Sequence, residues 1–373
     1  MQLRLTQYGA LMRRRRIWLS SVLVFAYLVI VLVALQTGDR RYRSLGRELS
    51  QWDGQLYLSI ARDGYERFPP TADRPYISGN IGWFPFYPLM GRALSHLGLT
   101  THWSLIVLSW ICFWLALMVI YSLVETKFGE RTAILTVLAT FLYPTSFYFA
   151  TAFPYSLYLF LAVVTFYLLH RQKYALLWLP TAGLAVTYPS GIVIALPIAY
   201  HLVRRWKALG WSQRVWLAVA ILAIGVAILA YFLHYYFKFG DFFLYFHYQS
   251  QYLHGHSLTF PLITLYKFMT ELSFTHLEFI IVALTLGFAA VAYTRRIEGE
   301  WQVYLLAVLL FTPTFGTIQC YYRHVIVAFP MFVMLGMAAG SPRRKYLFGG
   351  YAVASALLAW FVFVPAFKKG ILM

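Results

Sequence analysis

The chain has 373 residues, of which 61% are hydrophobic and only 12% charged. A typical globular domain is about half apolar and about a quarter charged, and a soluble chain of this size has too little interior to hide the excess. That excludes an ordinary soluble enzyme, a disordered chain and a disulfide scaffold. The net charge of +18 sits in short basic clusters between apolar runs, which is the positive-inside pattern of a polytopic membrane protein and not a nucleic-acid footprint.

A spanning helix needs about 20 mostly apolar residues. Runs of this kind are predicted over 17–35, 103–124, 132–150, 154–169, 215–237, 277–293, 301–319, 325–339 and 346–364. The first is basic and then apolar, but no small-residue cleavage site follows, so a retained span is expected. Cys112 lies inside an apolar run, and with Cys320 it forms no spaced pattern. Residues 174–203 are also apolar but contain Pro180, Pro189 and Gly191. They fit one broken helix or two short ones, 175–188 and 190–203.

Charge decides between these. Arg13–Arg16 precede the first span and place the N-terminus in the cytoplasm. With two short helices, Lys127, Arg131, Arg171, Lys173, Arg204, Arg205, Lys207, Arg214, Arg295, Arg296 and Arg343–Lys345 join them on that side. A single helix would export the Arg204 cluster. The expected fold is therefore an all-α integral membrane protein, one polytopic domain over 1–373, with about 11 transmembrane helices (roughly 9 to 12).

Two outside loops are long, 36–102 and 238–276, and they hold most of the acids. Long loops without a disordered composition are usually functional. In the first loop, 52–62 and 82–97 have three- and four-residue apolar spacing and read as helices lying in the interface with aromatics toward lipid. Gly64 and Phe68-Pro69-Pro70 punctuate the gap. Asp53 opens the first helix. One reading is a capping box with Ser50; the other is a carboxylate at the membrane surface, placed for base chemistry. Asp63 is expected to pair with Arg62 or Arg67.

Trp52-Asp53-Gly54-x-x-Tyr57-x-x-Ile60-Ala61-x-x-Gly64-Tyr65, followed by Trp83-Phe84-Pro85-Phe86-Tyr87-Pro88-Leu89, resembles the PIG-V family of mannosyltransferases, members of the GT-C superfamily of polytopic glycosyltransferases. Tyr143-Pro144-Thr145-Ser146-Phe147-Tyr148, Tyr155-Ser156 and Tyr322-Arg323-His324 before Phe329-Pro330 are similar to later family stretches, in order. Two positions depart: Leu157 stands where the family has an acid, and Tyr188 precedes Pro189-Ser190-Gly191 where many relatives carry an Arg.

The resemblance implies sugar transfer with inversion from a polyprenyl- or dolichyl-phosphate donor to a hydroxyl of a glycan, glycolipid or protein, with Asp53 as base. It also implies a multi-pass protein of the bacterial plasma membrane, or of the endoplasmic reticulum in a eukaryote. Tyr57 belongs to the same motif and is a candidate substrate contact. The donor phosphate needs cations, and the outside candidates are Arg323, His324, Lys267, Arg92, His254 and His256. Arg323 leads, because a guanidinium fork matches phosphate oxygens. His247, His254 and His256 make no strong ligand pattern, so no metal is expected, and no cofactor or nucleic-acid partner is expected either.

The competing readings are a transporter or lipid-linked-sugar flippase, and a non-catalytic subunit that keeps the fold. Coupled transporters usually carry intramembrane ionisable groups and paired repeats. Neither stands out here, since no acid lies deep in a predicted span.

Overall fold

A computed structural model describes residues 2–37, 44–73, 76–252, 258–270, 297–318, 320–340 and 345–369. The predicted span 277–293, His254, His256, Arg295 and Arg296 lie outside these residues.

The described chain is a helical bundle. Its elements in order are α1 (Gln2–Gln36), α2 (Leu45–Leu49), α3 (Asp53–Asp63), the two-residue strands β1 (Arg67–Phe68) and β2 (Ser78–Gly79), and α4 (Phe86–Ser95). There follow α5 (Thr101–Phe128), α6 (Glu130–Leu142), α7 (Tyr155–His170), α8 (Trp178–Ala185), α9 (Ala195–Arg204) and α10 (Trp211–Phe239). The chain continues through α11 (Leu244–Tyr252), α12 (Pro261–Thr270), α13 (Gly299–Phe311), α14 (Tyr321–His324), α15 (Phe329–Ala339), α16 (Lys345–Leu358) and α17 (Val364–Lys369). The strands pair antiparallel, Arg67 opposite Gly79.

Three described helical segments are long and apolar enough to cross a membrane: Thr101–Phe128, Trp211–Phe239 and Phe348–Lys369. A fourth forms if Tyr321–Val327 and Phe329–Ala339, which meet at 77°, count as one bent span. The outward faces of α1 and α10 stay apolar, with Phe25, Ile30, Leu222 and Leu229 exposed. Contiguous apolar surface of this kind needs a lipid or protein cover, and with the composition it marks an integral membrane protein.

α5 is central. It packs against α1, α4, α6 and α7, while α15 lies along α6, α10 along α8, and α13 along α9. Small residues permit the closest approach. A Cβ at Gly336 of α15 would lie 2.4 Å from Thr136 Oγ1 and 2.9 Å from Thr132 O of α6, the usual logic of helix pairs in lipid.

Side-chain contacts sort the loops into two ends. At one end Tyr174 Oη meets His201 Nε2 at 3.1 Å, His201 Nδ1 meets Glu300 at 2.8 Å, and Lys127 pairs with Glu298. Segment 174–204 thus runs out and returns, turning at 186–190, as two short helices and not one broken rod. The basic residues around 127, 171, 204 and 214 gather at this end. The opposite end holds α3, the Thr145–Tyr322 contact (3.0 Å) and the Tyr158–Ser190 contact (3.0 Å).

Several expected boundaries move. The run 132–150 stops being α-helical at Leu142 and continues as a 3₁₀ turn, Ser146–Ala150. Pro144 disfavours helix at Tyr143 and removes a donor. The run 301–319 ends after a 3₁₀ turn, Thr312–Phe315, where Gly316 is left-handed (φ 72°). The run 325–339 bends at Phe329-Pro330. The second interfacial helix is shorter than 82–97, beginning at Phe86 after Pro85.

α3 does not turn its aromatics to lipid: Tyr57, Leu58, Ile60 and Ala61 are buried. The reason is that α4 and α5 supply a protein surface for that face. α4 keeps an outward apolar edge at Leu89 and Met90.

Candidate functional site

The capping box at Asp53 does not form. Ser50 Oγ donates to Gly46 O (2.8 Å) instead, and the N-cap position of α3 is Trp52, with no side-chain cap. Trp52 has φ 58° and ψ −130°. For a non-glycine residue this costs about 1–3 kcal/mol and persists only where the surroundings enforce it. They do so here: Ala152 N donates to Leu49 O (2.9 Å), and α3 then presses its glycine onto the same segment. A Cβ at Gly54 would sit 3.3 Å from Ala152 O. The small residue after Asp53 suits this close approach. The turn frees the Asp53 carboxylate from capping and aims it across the bundle end.

Its partner is Arg323. Nη2 lies 2.8 Å from Asp53 Oδ2, with the arginine 9% and the aspartate 28% exposed. Arg323 sits on the single turn α14, entered through Cys320 in the left-handed region (φ 58°). Thr145 Oγ1 donates to Tyr322 O (3.0 Å), and Tyr321 Oη to Leu309 O (2.7 Å), so the turn is held from both sides. The guanidinium rests over the rings of Tyr148 (5.7 Å) and Phe153 (5.6 Å), a favourable site for a desolvated cation. Among the described residues its Nε is buried without a partner, as is the side-chain amide of Gln51, two residues before Asp53. Buried donors are normally satisfied, so this end of the bundle has spare hydrogen-bonding capacity beside the ion pair.

Tyr57 stands one turn after Asp53 on the same helix face. It packs edge-on to Tyr87 (5.5 Å), and Tyr87 Oη is anchored to Leu105 O (2.9 Å) and Ser109 Oγ (2.8 Å). Burial, and then the Asp53 charge, push the Tyr57 phenol well above its ordinary range, so it remains a protonated donor.

His324 follows Arg323. Its Nδ1 is 3.1 Å from Thr312 Oγ1, and its ring is 5.5 Å from that of Tyr188. Tyr188 also faces Tyr155 (5.6 Å) and Tyr158 (6.5 Å). The departure at 188 therefore lies on the wall of this same site, beside His324. The turn carrying it is tight: a Cβ at Gly191 would fall 1.9 Å from Leu184 O. The other departure, Leu157, is packed in the core, and Ser156 Oγ donates to Phe149 O (2.8 Å).

The structure thus brings Asp53, Tyr57, Arg323 and His324 to one end. It places Arg92 elsewhere: Nη2 donates to Arg62 O (3.0 Å), at the far end of α3 from Asp53. Lys267 is exposed on α12. His247 pairs with Asp241 (2.8 Å), and Asp63 with Arg62 (2.7 Å). Sequence reasoning missed Tyr148 and Phe153 as the seat of Arg323, although the 143–148 stretch was singled out. It also missed Gln51, for which no sequence signal existed.

No protein-family profile and no curated protein sequence matches the chain. Solved structures do. ArnT from Cupriavidus metallidurans bound to undecaprenyl phosphate superposes over 91% of this chain at 16% identity, with a TM-score of 0.55. The apo form of that protein gives 0.56 at 14% identity. An oligosaccharyltransferase from Archaeoglobus fulgidus aligns more loosely, at 0.43 and 14% identity over 92% of this chain and 52% of its own. The chain spans 63% of the undecaprenyl-phosphate-bound ArnT chain and 62% of the apo chain. The chain shares its fold with ArnT.

Proposed function

We propose that the chain is an integral-membrane glycosyltransferase that moves a hexose from a polyprenyl- or dolichyl-phosphate donor to an acceptor hydroxyl, with inversion. The observation that carries this reading is the Asp53–Arg323 pair at 2.8 Å, on a fold shared with a protein solved with undecaprenyl phosphate. The similarity of the Trp52–Tyr65 and Trp83–Leu89 motifs to PIG-V mannosyltransferases makes mannose the sugar to test first.

The chemistry follows from the pair. Arg323 has five donors, and Asp53 receives one of them, while Nε has no partner among the described residues. A donor phosphate entering here draws the guanidinium to itself, since phosphate offers more acceptor oxygens and a fork-to-fork fit. That releases the Asp53 carboxylate. The acceptor oxygen attacks the anomeric carbon, its proton passes to Asp53, and the bond to the phosphate oxygen breaks, leaving polyprenyl phosphate. The phosphate is a good leaving group, so the second carboxylic acid of a glycosidase is unnecessary. Tyr57 and His324 flank the site as substrate contacts. Tyr188 occupies the place where relatives carry an arginine, and Arg323 takes over the phosphate contact.

By the positive-inside rule the basic end is cytoplasmic, which puts Asp53 on the extracytoplasmic or lumenal side. The test is turnover of polyprenyl-phosphate mannose by purified chain and by Asp53→Asn. The reading expects activity in the first and near-complete loss in the second. Wild-type-like turnover by a folded Asp53→Asn protein overturns Asp53 as the base.

A further inference from the structure

Away from Asp53 itself, but at the same end of the bundle, a cleft of about 240 Å³ opens between the last turn of α1 and the segment ending in α17. Ala34, Trp360 and Val364 make an apolar wall, and Thr37, Lys368 and Lys369 make the rim. Lys368 is only 7% exposed, and its Nζ donates to Thr37 O. An ammonium has three donors, so the cleft retains hydrogen-bonding capacity from Lys368 and the whole of the exposed Lys369. Among the described residues neither lysine forms an ion pair. A lysine at a span end normally snorkels to water, and a helix C-terminus welcomes positive charge. Those effects account for Lys369. They do not account for Lys368, which is turned into an apolar cleft, where a cation without a counter-ion is costly.

We propose that this cleft binds the phosphate-bearing head of an anionic lipid. Lys368 and Lys369 hold the phosphate, and the hydrocarbon chain lies against Ala34, Trp360 and Val364. Two observations fit that occupant. The exposed flank continues apolar past the cleft, at Phe361 (69% exposed), so a chain leaving it enters the bilayer. The charges sit at the span end, where lipid headgroups lie. The segment that carries the two lysines also touches the loop before Asp53: Phe367 O accepts from Trp52 Nε1 at 3.5 Å. The site does not depend on the role given to Asp53, and it binds whether or not the chain turns over.

The experiment is native mass spectrometry of the full chain released from phosphatidylcholine nanodiscs, with phosphatidylglycerol or undecaprenyl phosphate titrated in. Wild-type chain is compared with Lys368→Gln/Lys369→Gln, Trp360→Ala and Lys368→Arg. The site predicts about a tenfold loss of affinity for at least one of the two phosphate lipids in the double variant. Loss for phosphatidylglycerol identifies a bulk-lipid headgroup; loss for undecaprenyl phosphate identifies a prenyl carrier. Trp360→Ala weakens the same lipid, Lys368→Arg retains it and shows that the fold survives, and phosphatidylcholine retention is unchanged throughout. Equal binding of both phosphate lipids by wild type and double variant overturns the proposal. So does displacement of the lipid by equimolar inorganic phosphate, since the cleft would then read a free anion.

Discussion

Replacing Asp53 by Asn keeps the side chain's size and removes its charge, leaving Arg323 buried beside Tyr148 and Phe153 with no counter-ion. Breaking a buried ion pair costs about 3–5 kcal/mol. Asp53 keeps 28% exposure, so the lower edge, about 3 kcal/mol, is expected. If Asp53 is also the base, turnover falls by roughly a hundred- to ten-thousand-fold, or about 3–5 kcal/mol of barrier at 1.36 kcal/mol per tenfold. Both effects lower activity, so the single variant cannot separate them. The pair Asp53→Asn/Arg323→Met can, because it removes the stranded charge together with its partner. Stability should recover to within about 1 kcal/mol of wild type, since well-packed apolar replacements of buried pairs are often neutral. Turnover should stay lost, because the variant lacks both the proposed base and the cation proposed to hold the phosphate. The readouts are thermal unfolding in detergent and sugar transfer from a lipid-phosphate donor on the same preparations. Recovery of turnover together with stability would refute the reasoning and reduce Asp53–Arg323 to a structural clasp.

Other outcomes follow from the same geometry. Arg92→Ala should leave turnover within about twofold of wild type, because its guanidinium serves Arg62 O at the far end of α3; the same transfer assay checks it, at an expected stability cost of about 1 kcal/mol. Gly54→Ala should destabilise the chain by about 1 kcal/mol and lower turnover, since the added Cβ lies 3.3 Å from the Ala152 carbonyl, on a segment tied by Ala152 N to Leu49 O. Gly191→Ala is more severe, meeting Leu184 O at 1.9 Å, and should abolish recovery of folded protein in size-exclusion chromatography. At the opposite end, His201→Ala leaves Tyr174 and Glu300 without their shared partner. It should cost about 1–3 kcal/mol of stability while leaving the KM for the lipid donor unchanged.

The apolar runs were legible because hydropathy needs no knowledge of packing, and charge sorted the 174–203 ambiguity toward two helices. Hydropathy does not distinguish a helix from irregular chain buried by its neighbours. The segments 144–154, 187–194 and 312–328 carry no Asp or Glu and largely continue the apolar runs they interrupt. Each is broken at or beside a proline, and they come together at Asp53's end. Backbone of that kind is tolerated at depth only where protein or a cavity surrounds it, so the breaks themselves point to the site. Asp53 was legible from its motif, but its environment was not. The capping box failed because the left-handed turn at Trp52 is imposed by Ala152 and Phe153, about a hundred residues away in sequence. Arg323 was chosen for its chemistry; its seat on Tyr148 and Phe153 is a tertiary fact that spacing does not reveal.

The most direct test is a cryo-electron-microscopy structure of the full chain with a polyprenyl-phosphate hexose bound, using Asp53→Asn to prevent turnover. The account predicts the phosphate within hydrogen-bonding distance of the Arg323 guanidinium and the anomeric carbon facing residue 53, with Tyr57, Tyr188 and His324 around the sugar. A lipid phosphate held elsewhere, with Arg323 still turned to residue 53 and no sugar beside it, would contradict it.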